Sequence, residues 1–151
     1  MAAEDSPVLI ELTSNPINLL RLMAFTNQPD CGGINFFLGT TRNSFEGKEV
    51  IRLEYEAYEG MALRQMKELA ERMVEKWHLG RCVLVHRLGE VSVGEVSIAI
   101  GCAAVHRDAA IQATSELINA VKASVVIWKR EVYADDLSAW KANKEWQFSQ
   151  V

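Results

Sequence analysis

KASVVIWKREVY (residues 122–133) sets the reading of this chain. Val125, Val126, Ile127 and Trp128 have the β-branched and aromatic character of a buried strand. Lys122 stands before them, and Lys129, Arg130 and Glu131 follow at once. Basic groups at both ends of a buried strand have two explanations. They are solvated strand ends, or they surround an anionic ligand.

Working outward, the segment just upstream is amphipathic. RDAAIQATSELINAVK (107–122) sets Ala110, Ala113, Thr114, Leu117 and Val121 along one helical stripe. GMALRQMKELAERMVEKWH (60–78) is the clearest helix, with Ala62, Met66, Leu69, Met73 and Trp77 at three- and four-residue spacing and Gly80 as its stop. VIRLEYEAY (50–58) alternates: Ile51, Leu53, Tyr55 and Ala57 share one face, Arg52, Glu54 and Glu56 the other. Glu54 and Glu56 read as solvent or interface contacts. VLIEL (8–12), INFFLGTT (34–41, ending near Gly39), RCVLVHRLG (81–89) and EVSIAIGCAA (95–104) are further strands. Asn15 as N-cap and Pro16 at the first helical position open a short helix through about Ala24. NQPDCGG (27–33) is a turn-rich break and RNSFEGK (42–48) has the composition of an exposed loop. The tail DDLSAWKANKEW (135–146) is polar with two tryptophans. Without a regular βαβ repeat, this mixture predicts one α+β domain over residues 1–151, with a mixed or antiparallel sheet and two main helices.

Composition narrows the function classes. The chain has 151 residues, 49% of them apolar, and a formal net charge of −4. That balance argues against general nucleic-acid binding but allows a local basic pocket. Cys31, Cys82 and Cys102 are far apart and form no CxxC, which fits a reducing compartment and buried structural thiols. The acidic start MAAEDSPVLIEL lacks the form of a signal peptide, and no apolar run is long enough to span a bilayer. The expectation is a cytoplasmic protein with no membrane role.

Several residues could carry chemistry. His106 and Arg107 sit where a strand gives way to a helix, and the unpaired N–H groups there favour anions. The alternative is an exposed helix start without a ligand. Asp108 suits the helix start electrostatically but would compete with an anion if turned inward. Gly39, Thr40, Thr41 and Arg42 form a turn with two hydroxyls and a guanidinium, able to grip phosphate but also ordinary in loops. Lys122 either complements a helix C-terminus or meets a ligand. Lys129 beside Trp128 suggests a partly desolvated lysine, usable as acid, base or nucleophile. There is no GxSxG, HExxH or P-loop, and with His78, His86 and His106 scattered no metal site is expected. His86 reads as a packed or edge residue.

Chain geometry adds two conditions. Seven extended residues span roughly 23 Å. Lys122 and Lys129 therefore meet only if the chain bends, with Ala123-Ser124 the expected place. Arg107 and Lys122 are about 22 Å apart along one helix axis. If both serve one small ligand, two subunits of a homodimer must contribute.

In order along the chain, GTTRNSFEGK, LEYEAY, VHRLGEV, AVHRDAA, K-x6-KRE around IW, and W-K-x-N-K-E resemble the large, catalytic subunit of molybdopterin synthase. The resemblance runs from about Gly33 to Trp146. It implies an α/β-hammerhead fold and a sulfurtransferase that converts cyclic pyranopterin monophosphate into the molybdopterin dithiolene. The sulfur would come from the C-terminal thiocarboxylate of a small ubiquitin-like subunit ending in Gly-Gly. Two large subunits would form the centre of a heterotetramer. The chain would need no cofactor of its own and no reactive cysteine.

Carried over by position, Lys122 and Lys129 are the catalytic candidates, Lys122 first as general acid/base. Thr40, Thr41, Arg42, His106, Arg107, Arg130, Glu131 and Lys144 are implied around the substrate, His106 and Arg107 from the neighbouring subunit. Thr40 and Thr41 stand where some members have a basic residue. Gly32-Gly33 is internal and the chain ends in FSQV, so the resemblance makes it the sulfur acceptor rather than the donor. The competing reading is a non-catalytic module that binds a pterin, a phosphate or the partner's glycine tail.

Overall fold

In the computed structural model, residues 5–135 are described, together with the backbone of 149–150. Nine strands and three helices alternate among them: β1 (Val8–Thr13), α1 (Leu19–Thr26), β2 (Gly33–Thr40), β3 (Ser44–Phe45), β4 (Lys48–Ala57), α2 (Glu59–Trp77), β5 (Arg81–Arg87), β6 (Gly89–Ser92), β7 (Val96–Ala104), α3 (Arg107–Ser124), β8 (Ile127–Tyr133) and β9 (Ser149–Gln150). The fold is α+β with mixed sheet pairing, as expected; the two main helices and the short first helix are all present, and the strands form two sheets.

The first sheet runs β1-β5-β7-β2. Only β1 and β5 pair parallel in it; the other pairs are antiparallel. Strand alternation gives β5 two faces. Cys82, Leu84 and His86 point one way, into the core shared with α2 and α3, while Val83 and Val85 pack with Leu22 of α1 on the other side. Cys82 and Cys102 are directly opposite across β5 and β7, buried, with sulfurs 4.0 Å apart. Gly101 lies under the Phe36 ring, where any Cβ would come within 2.4 Å of a ring carbon.

The second sheet runs β3-β4-β8-β9, with β6 also on β4. RNSFEGK is not a plain loop. Ser44-Phe45 and Lys48-Glu49 pair around Glu46 and Gly47, which have φ of 50° and 78°. Two positive φ values in a two-residue turn match the right-handed twist of the strands it joins. Glu-Gly is a weaker hairpin signal than Asn-Gly, so the composition alone read as a loop.

The helices end for identifiable reasons. On α3 the five predicted stripe residues are all buried. Ser124 Oγ donates to the Ala120 carbonyl at 2.8 Å, so Ala123 and Ser124 stay helical. The expected bend at Ala123-Ser124 therefore moves on to Val125-Val126, where the β-branched run begins. There Val126 N–H donates to Gln65 Oε1 at 3.0 Å, and Ile127 N–H to the Val125 carbonyl at 3.0 Å. Trp128 is exposed rather than core, because alternation along β8 turns it away from buried Ile127.

Two cap assignments also change. Asn18, not Asn15, caps α1, its Oδ1 accepting from Arg21 N–H at 3.2 Å, so the helix starts at Leu19 instead of Pro16. His78, in the left-handed region at φ 52°, ends α2 instead of Gly80. Histidine is among the few side chains that visit this region readily. Gly80 serves packing instead: its missing side chain leaves room for the Cys31 sulfur, 2.4 Å from where a Cβ would stand.

Candidate active site

Both sheets and the end of α3 converge on one cavity of about 300 Å³. The α3–β8 turn folds Lys122 and Lys129 onto this same space. Arg42 joins them from the segment after β2. Glu131 also lines it, its Oε1 3.6 Å from Lys129 Nζ. Two residues apart on a strand means the same face, so this pair follows from alternation.

The same alternation sends Arg130 the other way. It is ion-paired with Glu54, its cross-strand partner on β4, and does not line the cavity. Arg52 Nε adds a second bond to Glu54 at 3.0 Å. Glu54 thus belongs to a charge cluster on the sheet rather than to solvent, while Glu56 is exposed. The register shifts at Gly39/Thr40 as β2 ends, and the two threonines go to different places. Thr40 lines the cavity; Thr41 is buried, its Oγ1 donating to the Val91 carbonyl at 3.3 Å.

His106 is the N-cap of α3 and Arg107 its first residue. Lys122 lies in the last turn of this 18-residue helix. The two groups thus stand at opposite ends, about 22 Å apart along the axis. Within one subunit, His106 and Arg107 are not cavity residues. The α3 start is seated on glycine: a Cβ on Gly33 would lie 2.8 Å from Arg107 Cα. Lys144 lies outside the described residues.

The cavity has a charged rim and an uncharged floor. Arg42 and Lys122 are exposed at the rim, and Lys129 is partly exposed beside them. The floor is buried: Tyr55, His86 and Ser97, with Val50, Ile98 and Val121. Tyr55 lies opposite Lys129 on the β4–β8 pair, and its ring meets His86 edge-on at 4.8 Å. Burial pushes the Tyr55 phenol up, and the Glu131 carboxylate adds to the effect, so it stays protonated.

Sequence reasoning missed this floor. His86 read as a packed residue, which it is at 1% exposure, yet it also walls the cavity. Its position two residues beyond core residue Leu84 on an alternating strand was the available signal.

Burial pushes His86 down to about 4, only partly opposed by the bond to the Arg87 carbonyl. The folded value is thus below the ordinary 6.5, so the unfolded chain binds more protons between these limits. Stability is then full above about pH 6.5 and falls as pH drops toward 4, by about 3 kcal/mol from this residue. Urea unfolding at stepped pH is expected to show that loss in the wild type. A His86→Phe chain should show a flatter profile over the same window, and an equally steep one would overturn the assignment.

A rim that brings two lysines and an arginine onto one cavity suits an anionic ligand. The family model for MoaE protein matches residues 12–124. The molybdopterin synthase catalytic subunit of Bos taurus is 44% identical over 142 residues, covering 94% of this chain and 75% of that protein. The Drosophila willistoni protein of the same name is 46% identical over 138 residues, 90% of this chain but 37% of its own length. Among solved structures, molybdopterin synthase from Staphylococcus aureus superposes with a TM-score of 0.82 at 27% identity, covering 92% of this chain and 95% of that one. A complex of subunits 1 and 2 of molybdopterin-converting factor from Helicobacter pylori aligns with a TM-score of 0.70 at 17% identity, over 83% of this chain and 86% of that one. Motif order, fold and extent of match agree, and the chain belongs to the MoaE protein family, whose relatives carry the name molybdopterin synthase catalytic subunit.

Proposed function

We propose that this chain is the catalytic subunit of a molybdopterin synthase, taking sulfur from a small partner and placing it on cyclic pyranopterin monophosphate. The observation that carries the reading is the convergence of Lys122, Lys129 and Arg42 on one cavity in a chain of this family. A cyclic phosphate needs cations, and the rim supplies them. The chain holds no exposed paired thiols: Cys82 and Cys102 are buried, which suits a subunit whose sulfur is brought by another protein.

The partner is a small ubiquitin-like subunit with a C-terminal Gly-Gly thiocarboxylate, a reading supported by the two-subunit complex of the Helicobacter pylori relative. In each transfer a carbon–sulfur bond forms on the pterin side chain and a carbon–oxygen bond there breaks. The acyl carbon–sulfur bond of the tail then breaks, with water supplying the oxygen that leaves a carboxylate. Lys122 is the general acid/base, protonating the leaving oxygen. Lys129, held by Glu131, faces the anionic substrate. Thr40 and Arg42 complete the rim of one subunit.

His106 and Arg107 reach the substrate from a second copy, because one α3 helix is too long to deliver both ends. This makes the working unit a homodimer of this chain with one small subunit at each end. The exposed apolar side chains of edge strand β2, Ile34, Phe37 and Leu38, support pairing between copies. The substrate is the only small molecule required, and the setting is cytoplasmic.

The test mixes this chain with a thiocarboxylated small subunit and the cyclic pterin. Molybdopterin is the expected product. Pterin bound without turnover would favour the binding-module reading instead.

A further inference from the structure

The floor of the cavity has a hydrogen-bonding character that the rim does not explain. His86 Nδ1 lies 2.8 Å from the Arg87 carbonyl oxygen. A carbonyl can only accept, so Nδ1 carries the proton and Nε2 is left with a lone pair. Among the described residues no side chain donates to that Nε2. Beside it, the single Ser97 hydroxyl proton goes to the Gly39 carbonyl at 3.2 Å. The Tyr55 phenol lies close by, its pKa pushed up by burial and only partly drawn back by Ser97. His86 and Ser97 have therefore committed their protons, and His86 presents an uncharged lone pair.

An anion is disfavoured against His86 Nε2, because its oxygens would face another acceptor. A buried acceptor without a donor is costly, so the floor favours an occupant that brings N–H groups. An amino- and oxo-substituted fused ring is such an occupant, and it also suits the apolar walls of Ile98 and Val121. We infer that His86 is a specificity-determining residue: its Nε2 accepts an N–H of the pterin ring at the cavity floor, while the rim cations take the phosphate. The inference rests on the functional reading above and assigns the ring end of the same substrate.

Isothermal titration with a phosphate-free pterin and, separately, with inorganic phosphate tests it. His86→Phe is expected to weaken the pterin about tenfold, while phosphate affinity moves less than about twofold. His86→Gln, whose amide oxygen reaches near the Nε2 position, is expected to regain most of the loss. Pterin binding indifferent to His86→Phe, an equal loss of phosphate, or no rescue by glutamine would each overturn the assignment. If His86→Phe does not fold, the wild type carries the test through the nitrogen resonance of His86 Nε2. It should shift on adding the pterin and stay put on adding phosphate; the reverse pattern, or no shift, overturns the idea. Turnover separates the two readings. Product formed by a chain whose pterin affinity ignores His86 removes this inference alone. Absent turnover with His86-dependent pterin binding removes the sulfur-transfer reading and leaves the floor assigned.

Discussion

Lys122→Ala is expected to cut molybdopterin formation by at least about 10²-fold, the usual size of a lost general acid/base. The variant should fold normally. Lys122 is exposed in the last turn of α3, and alanine is the best helix former. Its unfolding midpoint should stay close to the wild type, since exposed substitutions usually cost less than about 0.5 kcal/mol. Phosphate binding should weaken far less than turnover, because Lys129 and Arg42 remain on the rim. Activity near wild type in a correctly folded Lys122→Ala chain would end its assignment as the acid/base.

Mixing two dead variants is expected to restore activity. Lys122→Ala and Arg107→Ala stand at opposite ends of one 18-residue helix. If each site takes Lys122 from one copy and Arg107 from the next, a mixed dimer has one site with both defects and one with neither. Random exchange makes half the dimers mixed, so about a quarter of wild-type activity should return under two-fold symmetry. If both residues served one site within a single subunit, every site would keep one defect and no activity would return. Co-refolding the two variants and assaying product decides between these outcomes, and light scattering on the same sample checks that dimers are present.

The helices were legible because their apolar spacing is unambiguous. All five stripe residues of α3 are buried, and α2 buries Ala62, Met66, Leu69 and Met73 as the spacing required. Strand alternation also served, correctly grouping Leu53 with Tyr55 on the cavity side of β4. What failed were places where one residue settles the outcome locally. Asn18 outcompeted Asn15 as a cap, and His78 took the left-handed turn expected of a glycine. The α3–β8 bend moved two residues because serine can bond back into its own helix.

The site was legible at its rim and not at its floor. Charged residues such as Lys122, Lys129 and Arg42 stand out in a sequence because they are hard to bury without a reason. His86 read as a packed or edge residue, Tyr55 only as one face of a strand, and Ser97 was not singled out; all three are buried, and nothing in their residue types tells a cavity wall from core. Arg130 is the converse case. Its charge drew it into the implied pocket, whereas the pleat of β8 commits it to Glu54. Alternation applied to KREV would have separated it from Lys129 and Glu131.

The bond from Val126 N–H to Gln65 has a mechanical meaning. Gln65 sits on α2, which contributes nothing to the cavity lining. Yet its amide pins the two-residue hinge whose angle sets the gap between two ammonium groups. Helix α2 is in this sense the gauge block of the site: it touches no reactant and fixes the calibration of the tool that does.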